Sequence, residues 1–147
     1  MGRYHQGKYK PINVDKIIGD PTKITYRSSW ERRVMHKLDR AEYVLRWGSE
    51  CLYVPYRSPK DGRIHRYFPD FLVVSANKYG DGVVTTLIEV KPYKEQFMPT
   101  KRGKKHERYI QECITYSVNQ AKWEAAKKLC DNKGWKWAVM TEKQILG

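Results

Sequence analysis

The sequence predicts a single α/β domain, in which a sheet with an antiparallel hairpin is flanked by two helices. Three observations support this class. The chain has 147 residues, of which 40% are hydrophobic and 13% aromatic, which is enough for one core and argues against a disordered basic tail. Two segments have the apolar spacing of amphipathic helices. Short segments with strand character lie between and after them, so the elements follow the order α-β-β-β-α-β.

The beginning of the chain is expected to lie outside this domain. Residues 1–27 are polar and basic and contain Pro11 and Pro21, which predicts a basic N-terminal arm on the surface rather than a packed element. The domain itself is expected to comprise residues 28–147, and no internal repeat divides it.

The two helices are indicated by apolar residues at every third or fourth position. The first is predicted over about 29–40, because Ser28 and Ser29 are good N-cap residues in front of it. The second ends at Gly134, which favours the left-handed conformation of a C-cap. The apolar positions are Trp30, Val34 and Leu38 in the first helix, and Ile110, Ile114, Val118, Ala121, Ala125 and Leu129 in the second.

The strands are indicated by β-branched and aromatic residues between turn sequences. Pro59 and Gly62 lie in a turn that predicts a hairpin between the first two strands, and a second turn follows over residues 77–82. The predicted strands are 51–56, 66–74, 83–91 and 135–140. A basic loop over residues 92–108, which contains Pro99 and Gly103, separates the third strand from the second helix.

The charge of the chain indicates its partner. Lys and Arg number 29 against 16 Asp and Glu, a formal net charge of +13, which favours a polyanion and above all DNA over an anionic membrane. No apolar stretch is long enough to span a membrane, and the N-terminus lacks the apolar region of a secretion signal. Three cysteines at wide spacing support neither a disulfide framework nor a zinc site, which fits a reducing cytoplasm.

The basic residues expected to contact DNA phosphates lie in the first helix region and in the basic loop. Solvated surface charge is the alternative interpretation of these runs, and the net charge favours phosphate contacts. The predicted DNA-binding residues are Arg27, Arg32, Arg33, Lys101, Arg102, Lys104 and Lys105.

Two carboxylates and a lysine on consecutive strands indicate hydrolytic chemistry. Asp70 follows Pro69 amid apolar residues, where an unpaired carboxylate would be costly unless a metal ion or a salt bridge compensated it. Glu89 and Lys91 end the next strand and point to the same face, because side chains alternate along a strand. Clustered carboxylates with a nearby cation suit metal-dependent phosphodiester hydrolysis.

Other polar residues have simpler explanations. Glu31, the third carboxylate candidate, lies in the first turn of a helix, where the macrodipole alone favours an acid. Tyr67 and His65 have two interpretations: they flank the site or contact DNA, or they are an ordinary strand tyrosine and an exposed hairpin histidine, which is the favoured interpretation. His36 and His106 have no ligand-like partners in the sequence, so no zinc site is predicted.

Glu31, Pro69-Asp70 and Glu89-Val90-Lys91 together resemble the PD-(D/E)xK nuclease superfamily, which has the restriction-endonuclease-like fold. That fold has the core order α-β-β-β-α-β, with a mixed central sheet flanked by helices. The chain is closer still to the head completion nucleases of large tailed bacteriophages, over most of residues 20–142. Transposon end-cleaving nucleases look similar around Ser29-Trp30-Glu31 and Glu89-Val90-Lys91-Pro92. The stretches that carry the phage resemblance include Tyr26-Arg27-Ser28-Ser29-Trp30-Glu31, Arg46-Trp47-Gly48-Ser49-Glu50, His65-Arg66-Tyr67-Phe68-Pro69-Asp70-Phe71 and Asn119-Gln120-Ala121-Lys122-Trp123.

The resemblance implies a role for each motif residue. Asp70 and Glu89 would bind Mg²⁺, for which Mn²⁺ can substitute, with the carbonyl of Val90 as a third ligand and Glu31 completing the shell directly or through water. Lys91 would orient the attacking water and stabilise charge on the phosphate. Gln120 is similar in placement to an accessory glutamine of these nucleases, and a solvated helix glutamine is the alternative.

The sequence and the resemblance together predict a metal-dependent DNA endonuclease that processes packaged DNA in phage head completion. Two alternatives remain, a nuclease of transposon-end cleavage or junction resolution, and a non-catalytic DNA-binding head protein. The intact set of Asp70, Glu89 and Lys91 disfavours the second. The expected partners are DNA, phage head or portal proteins and a second copy of the chain, with no membrane, and the expected location is the host cytoplasm or the virion.

Overall fold

The architecture is that of a mixed sheet with one helix on each face, and the computed structural model describes residues 6–146 of the chain. Along these residues no helix is both long and apolar enough to cross a membrane. In chain order the elements are β1 (Gly7–Lys8), β2 (Thr25–Tyr26), α1 (Ser29–Arg40), β3 (Val44–Ser49), β4 (Val54–Arg57), β5 (Ile64–Tyr67), β6 (Phe71–Ala76), β7 (Val83–Val90), α2 (His106–Lys133), β8 (Lys136–Met140) and α3 (Glu142–Ile145), with 3₁₀ helices at Val14–Lys16 and Tyr93–Gln96.

The central sheet contains four strands in the order β3-β6-β7-β8. The pairs β3–β6 and β6–β7 are antiparallel, whereas β7 and β8 are parallel. A parallel pair needs a crossover connection, and α2 supplies it. The core order is therefore α-β-β-β-α-β with a mixed sheet, which confirms the predicted fold class.

The identity of two strands differs from the sequence prediction. The first strand of the sheet is β3, and the segment predicted as a strand over 51–56 contributes β4 to a separate hairpin with β5. β3 escaped detection because Leu45 and Arg46 are both exposed beside an irregularity in its pairing, which breaks the alternation expected of a strand. The turn before Gly62, which has a positive φ of 71°, does form the predicted hairpin.

The predicted strand 66–74 is two strands that belong to different sheets. β5 ends at Tyr67 and β6 begins at Phe71, with Pro69 between them. Proline has no N–H to donate to a strand ladder, so the chain leaves the hairpin here and enters the central sheet. This break places Asp70 at the start of a central strand.

The helices and the basic loop follow the prediction with one shift of boundary. α1 has its predicted range, and the Ser28 hydroxyl caps it by accepting from the Glu31 N–H. α2 begins at His106, inside the segment expected to be loop, and ends at Gly134 in the left-handed conformation. The rest of the basic loop contains the 3₁₀ helix Tyr93–Gln96.

The sheet separates two hydrophobic clusters. On one face α1 packs through Val34, Met35 and Leu38 against Trp47 and Phe71 of the sheet. On the other face α2 and the hairpin pack against the sheet, with Val54, Tyr56, Tyr67, Leu87, Trp123, Ala126 and Cys130 as the buried residues. Tyr67 thus brings the hairpin beneath α2.

The described part of the predicted N-terminal arm is a packed segment, so the expectation of a surface arm is wrong for residues 6–27. Ile17 and Ile24 are buried in the α1 cluster, and β1 pairs with β2. Asp39 of α1 is fully buried and anchors the segment. Its carboxylate accepts hydrogen bonds from the Tyr9 hydroxyl (2.9 Å) and from the N–H groups of Ile12 (2.7 Å) and Asn13 (3.0 Å).

We expect Asp39→Ala to lower the free energy of unfolding by about 3 kcal/mol or more, because it leaves several donors without their charged acceptor. Burial alone would raise the pKa of Asp39, but its hydrogen bonds outweigh burial and lower it. The contribution is therefore present above the ordinary aspartate pKa of about 4 and is lost as the pH falls through the lowered value. Urea unfolding at neutral and at acidic pH measures both effects.

The matched control is Asp15→Ala, which removes an exposed acid of the same segment. It should change stability by less than about 0.5 kcal/mol. Equal destabilisation by the two substitutions would mean that Asp39 does not anchor the segment.

Candidate active site

Asp70 and Glu89 lie side by side at one end of the sheet. Phe71 of β6 pairs with Ile88 of β7 in antiparallel register, which puts the preceding Asp70 next to the following Glu89. Lys91 comes directly after β7, and its N–H donates to the Met140 carbonyl of β8 (2.9 Å). The structure thus brings together the three residues that the sequence singled out.

Each carboxylate accepts a hydrogen bond from a group that holds it in place. The Val90 N–H donates to Asp70 Oδ2 (2.7 Å), and the Tyr67 hydroxyl donates to Glu89 Oε1 (2.6 Å). The Lys91 ammonium lies 3.9 Å from Glu89 Oε2. Glu89 is only 7% exposed, whereas Asp70 and Lys91 keep part of their side chains in contact with solvent. The two carboxylates are therefore held by hydrogen bonds within the protein and are reachable from solvent on the side of Asp70 and Lys91.

The hydrogen bonds and the Lys91 charge do not fully offset the cost of burying two negative carboxylates. Burial and the neighbouring Glu89 carboxylate raise the pKa of Asp70 to about 8. Burial also raises the pKa of Glu89, although the Tyr67 hydroxyl and the Lys91 charge act against it. Two adjacent acids with raised pKa values are typical of a site that binds a cation or transfers protons.

Glu31, in the first turn of α1, is near Asp70 of this pair. Its Oε1 accepts from the Arg27 N–H (3.1 Å), so it has the structural role expected of an acid in a first helical turn. Burial and the charge of Asp70 raise the pKa of Glu31 to about 7. Glu31 is therefore close enough to Asp70 to sense its charge, and its role toward a metal stays a prediction.

Glu50 was missed by sequence reasoning. It follows β3 and is the one non-glycine residue within 6–146 with a positive φ, 48°. Its N–H donates to the Asp70 carbonyl (3.0 Å), and its carboxylate pairs with the Arg27 guanidinium. A left-handed backbone costs energy for a residue with a Cβ, so Glu50 is held by these contacts. Arg27, expected to bind DNA phosphate, is bound here to an acid beside the site.

Tyr67 flanks the site, which was the less favoured of its two interpretations. It is 5% exposed, and its hydroxyl supports Glu89 from the hairpin. The Lys122 ammonium of α2 lies 5.6 Å from the Tyr67 ring centre and adds a favourable charge for Glu89. No sequence signal distinguishes Tyr67 from a core tyrosine or Lys122 from a solvated helix lysine, because both contacts are long-range.

Comparison with known proteins agrees with this geometry. The family model described as "TnsA-like endonuclease N terminal" matches residues 41–142. The chain is also 37% identical over 142 residues to the "Head completion nuclease" of Enterobacteria phage T4, covering 94% of this chain and 91% of that protein. The chain belongs to the TnsA-like endonuclease family. This confirms the predicted nuclease resemblance and the restriction-endonuclease-like fold class.

The donor set of this endonuclease fits a hard divalent cation. The Val90 N–H and the Tyr67 hydroxyl use Asp70 Oδ2 and Glu89 Oε1, and the two carboxyl side chains also contact each other. Their remaining oxygens are thus close enough to ligate the same cation. Mg²⁺ takes oxygen ligands and commonly uses one or two carboxylates with water. Within residues 6–146 no three His, Cys, Asp or Glu side chains form a metal-binding group, so Glu31 does not join the pair in this conformation.

The remaining predicted residues have the following places. Gln120 is half-buried on α2, and the described residues include no hydrogen-bond partner that ties it to Asp70 or Glu89, so its accessory role stays a prediction. His65 is exposed and pairs with Asp61 (2.8 Å), as an exposed hairpin histidine should. Val90 contacts the site through its N–H, which donates to Asp70, and the role of its carbonyl as a ligand also stays a prediction.

The basic candidates are mostly on the surface. Arg32, Arg33, Lys101, Arg102 and Lys105 are exposed. Lys104 instead pairs with Glu112 of α2, so it is the loop lysine least available to DNA.

We expect Tyr67→Phe to slow cleavage by the endonuclease about tenfold or more, because the substitution removes only the hydroxyl that orients Glu89. Initial rates of plasmid cleavage across Mg²⁺ concentrations measure the effect. The control is Tyr56→Phe, a buried tyrosine of the same cluster whose hydroxyl makes no contact with Glu89. Equal rates for Tyr67→Phe and wild type would leave Tyr67 with a packing role only.

Proposed function

We propose that the chain is a Mg²⁺-dependent deoxyribonuclease that trims or processes packaged DNA in phage head completion. The observation that carries the metal-dependent chemistry is the adjacent, incompletely compensated pair Asp70 and Glu89 beside Lys91. The name of the phage T4 relative, which resembles this chain over 94% of its length, supports the biological setting. The predicted host or virion location and the predicted head or portal partners belong to the same proposal.

Asp70 and Glu89 would hold the cation through their remaining oxygens. A divalent cation bound there supplies charge neutralisation for the phosphate and lowers the pKa of a bound water. The chain's own contribution is to fix the two carboxylates, through the Val90 N–H and the Tyr67 hydroxyl, at an end of the sheet where Glu89 is 7% exposed. Preorganised groups of this kind need no rearrangement during the reaction.

Lys91 supplies a positive charge and hydrogen-bond donors to the site. Its ammonium lies on the Glu89 side of the carboxylate pair and reaches solvent, so it can donate to an attacking water or to a phosphate oxygen. The anchored N–H of Lys91 keeps the start of the side chain in place at the sheet end. A cation at this position stabilises the negative charge that develops on the phosphate.

The exposed lysine and arginine side chains attract DNA to the chain. The net charge of +13 favours association with duplex DNA whatever its sequence. The exposed Lys101, Arg102 and Lys105 lie in the loop that follows β7 and Lys91, and Arg32 and Arg33 lie in α1. Contacts with phosphate position the duplex without reading its sequence.

The test is cleavage of supercoiled plasmid by the purified chain. We expect nicked and linear products with Mg²⁺ or Mn²⁺, and none after the metal is removed with EDTA, since the carboxylates alone repel phosphate. Adding Mg²⁺ back should restore activity. Undiminished cleavage in EDTA would contradict the proposed metal dependence, and a lack of cleavage with every divalent ion would contradict the deoxyribonuclease activity.

A further inference from the structure

A groove of ≈ 760 Å³ lies between the loop that follows Lys91 and the N-terminal half of α2. Its size is in the range of small-molecule sites, which are about 300–1,000 Å³. Phe97 and Met98 of the loop form one wall, and Tyr116 and Asn119 of α2 lie on the other. None of these residues has a part in the site described above.

Asn119 is the unusual member of this lining. It is only 7% exposed, and in the part of the chain that the structure describes no hydrogen bond to its side-chain amide is found. The amide atoms are not among the fully enclosed unpaired atoms of these residues, which are the indole nitrogens of Trp47 and Trp123, so the amide is open to the groove that it lines. An amide offers both donors and an acceptor, so Asn119 can pair with a ligand that has a matching polar edge.

The other lining groups specify the kind of ligand. Phe97 is 51% exposed, and its ring is held edge-on by Tyr93 at 5.0 Å between ring centres. Lys94, Lys104 and Arg108 line the groove together with Glu95 and Glu112, and Glu112 pairs with both Lys104 and Arg108, so these side chains add little free charge. Exposed aromatic faces and an amide are groups with which proteins hold unpaired nucleobases.

We propose that this groove, lined by Phe97, Tyr116 and Asn119, binds an unpaired DNA base next to the cleavage site. The proposal rests on the proposed function, since it names the DNA structure on which the endonuclease acts. The loop leaves the sheet at Lys91, and Asn119 lies one helical turn before Trp123, which packs in the cluster of Tyr67. The groove is therefore joined to the candidate active site through the loop that follows Lys91 and through α2.

An unpaired base is favoured over a base within a duplex for an energetic reason. Extracting a paired base costs a few kcal/mol of stacking and pairing, whereas a single-stranded extension or a branch offers the base at no such cost. The endonuclease is therefore expected to prefer DNA with a single-stranded segment adjoining a duplex. A peptide of a partner protein would be the other occupant, but the net charge of +13 on the chain favours a polyanion.

The experiment compares two DNA probes in EDTA, so that binding is read without cleavage. One is a blunt duplex, and the other is the same duplex with a short single-stranded extension. Wild type should bind the extended probe about tenfold more tightly by fluorescence anisotropy, since stacking of one base contributes on that scale. Asn119→Ala and Tyr116→Ala should each remove most of this preference and leave blunt-duplex affinity unchanged.

Matched controls come from the same helix. Ser117→Ala and Tyr109→Ala alter α2 outside the groove and should retain the preference. Thermal unfolding adds a structural criterion: Asn119→Ala should not lower the melting temperature, because its amide makes no hydrogen bond that the variant would lose.

The outcomes separate this inference from the proposed function. Metal-dependent cleavage with equal affinity for both probes would overturn the groove proposal and leave the nuclease intact. A preference that Asn119→Ala and Tyr116→Ala abolish, in a chain that cleaves nothing, would support the groove and overturn the nuclease. A preference that both variants retain would also overturn the proposal, because the extension must then bind elsewhere.

Discussion

Asp70→Asn and Glu89→Gln should each abolish DNA cleavage, with rates at least about a thousandfold below wild type. Each substitution keeps the shape of the side chain and removes the charge that a divalent cation needs. Neither acid is placed to contact DNA phosphate, so affinity for DNA should change little. Single-turnover cleavage of plasmid with Mg²⁺ and anisotropy in EDTA measure the two properties separately.

Asp70→Asn, which should abolish cleavage, should raise the stability of the metal-free protein. Because the pKa of Asp70 is raised to about 8, the native chain keeps this proton to higher pH than the unfolded chain, whose aspartates titrate near about 4. The free energy of unfolding therefore falls as the pH rises between these values. Asp70→Asn removes that loss, and the metal-free variant should melt at a higher temperature than metal-free wild type at pH near 8.

Glu124→Gln, an exposed acid of α2, is the control for loss of one charge and should leave cleavage and melting unchanged. Near-wild-type cleavage by Glu89→Gln would remove the active site from this end of the sheet. A lower melting temperature for metal-free Asp70→Asn would mean that the carboxylate is compensated by contacts stronger than the Val90 hydrogen bond.

The residues at the centre of the site were predictable because each breaks a local pattern. Asp70 interrupts an apolar segment after a proline, and Glu89 and Lys91 close a strand that is otherwise apolar and β-branched. Strand alternation then puts Glu89 and Lys91 on one face. These patterns marked the three residues as candidates and the family resemblance supplied their roles, and the register of β6 and β7 brings Asp70 next to Glu89.

The supporting contacts were not predictable because they join elements that are distant in sequence. Tyr67 reaches Glu89 across 22 residues, and Arg27 reaches Glu50 across 23. The packed N-terminal segment depends on Asp39, which looks like a surface acid of α1 until the chain folds back on it from Tyr9 and Ile12. Propensity and spacing describe single elements, so residues that act between elements carry no local signal.

Lys91→Ala should reduce the cleavage rate by about 10²–10³-fold, the cost of removing one preorganised electrostatic group. The ammonium is held 3.9 Å from Glu89 Oε2 and reaches solvent, so it can meet the scissile phosphate without a large movement. DNA affinity should fall little, because one charge in a chain of net charge +13 is a small part of the attraction.

Lys91→Arg tests whether the site needs an ammonium donor in one position or only a positive charge. A planar guanidinium keeps the charge but spreads it over a rigid fork, so it replaces a compact ammonium poorly and should recover only a small part of the rate. Lys127→Ala, an exposed lysine of α2, matches the charge change and should cleave normally. Full activity of Lys91→Arg would show that charge alone is needed beside Glu89, and full activity of Lys91→Ala would remove Lys91 from the reaction.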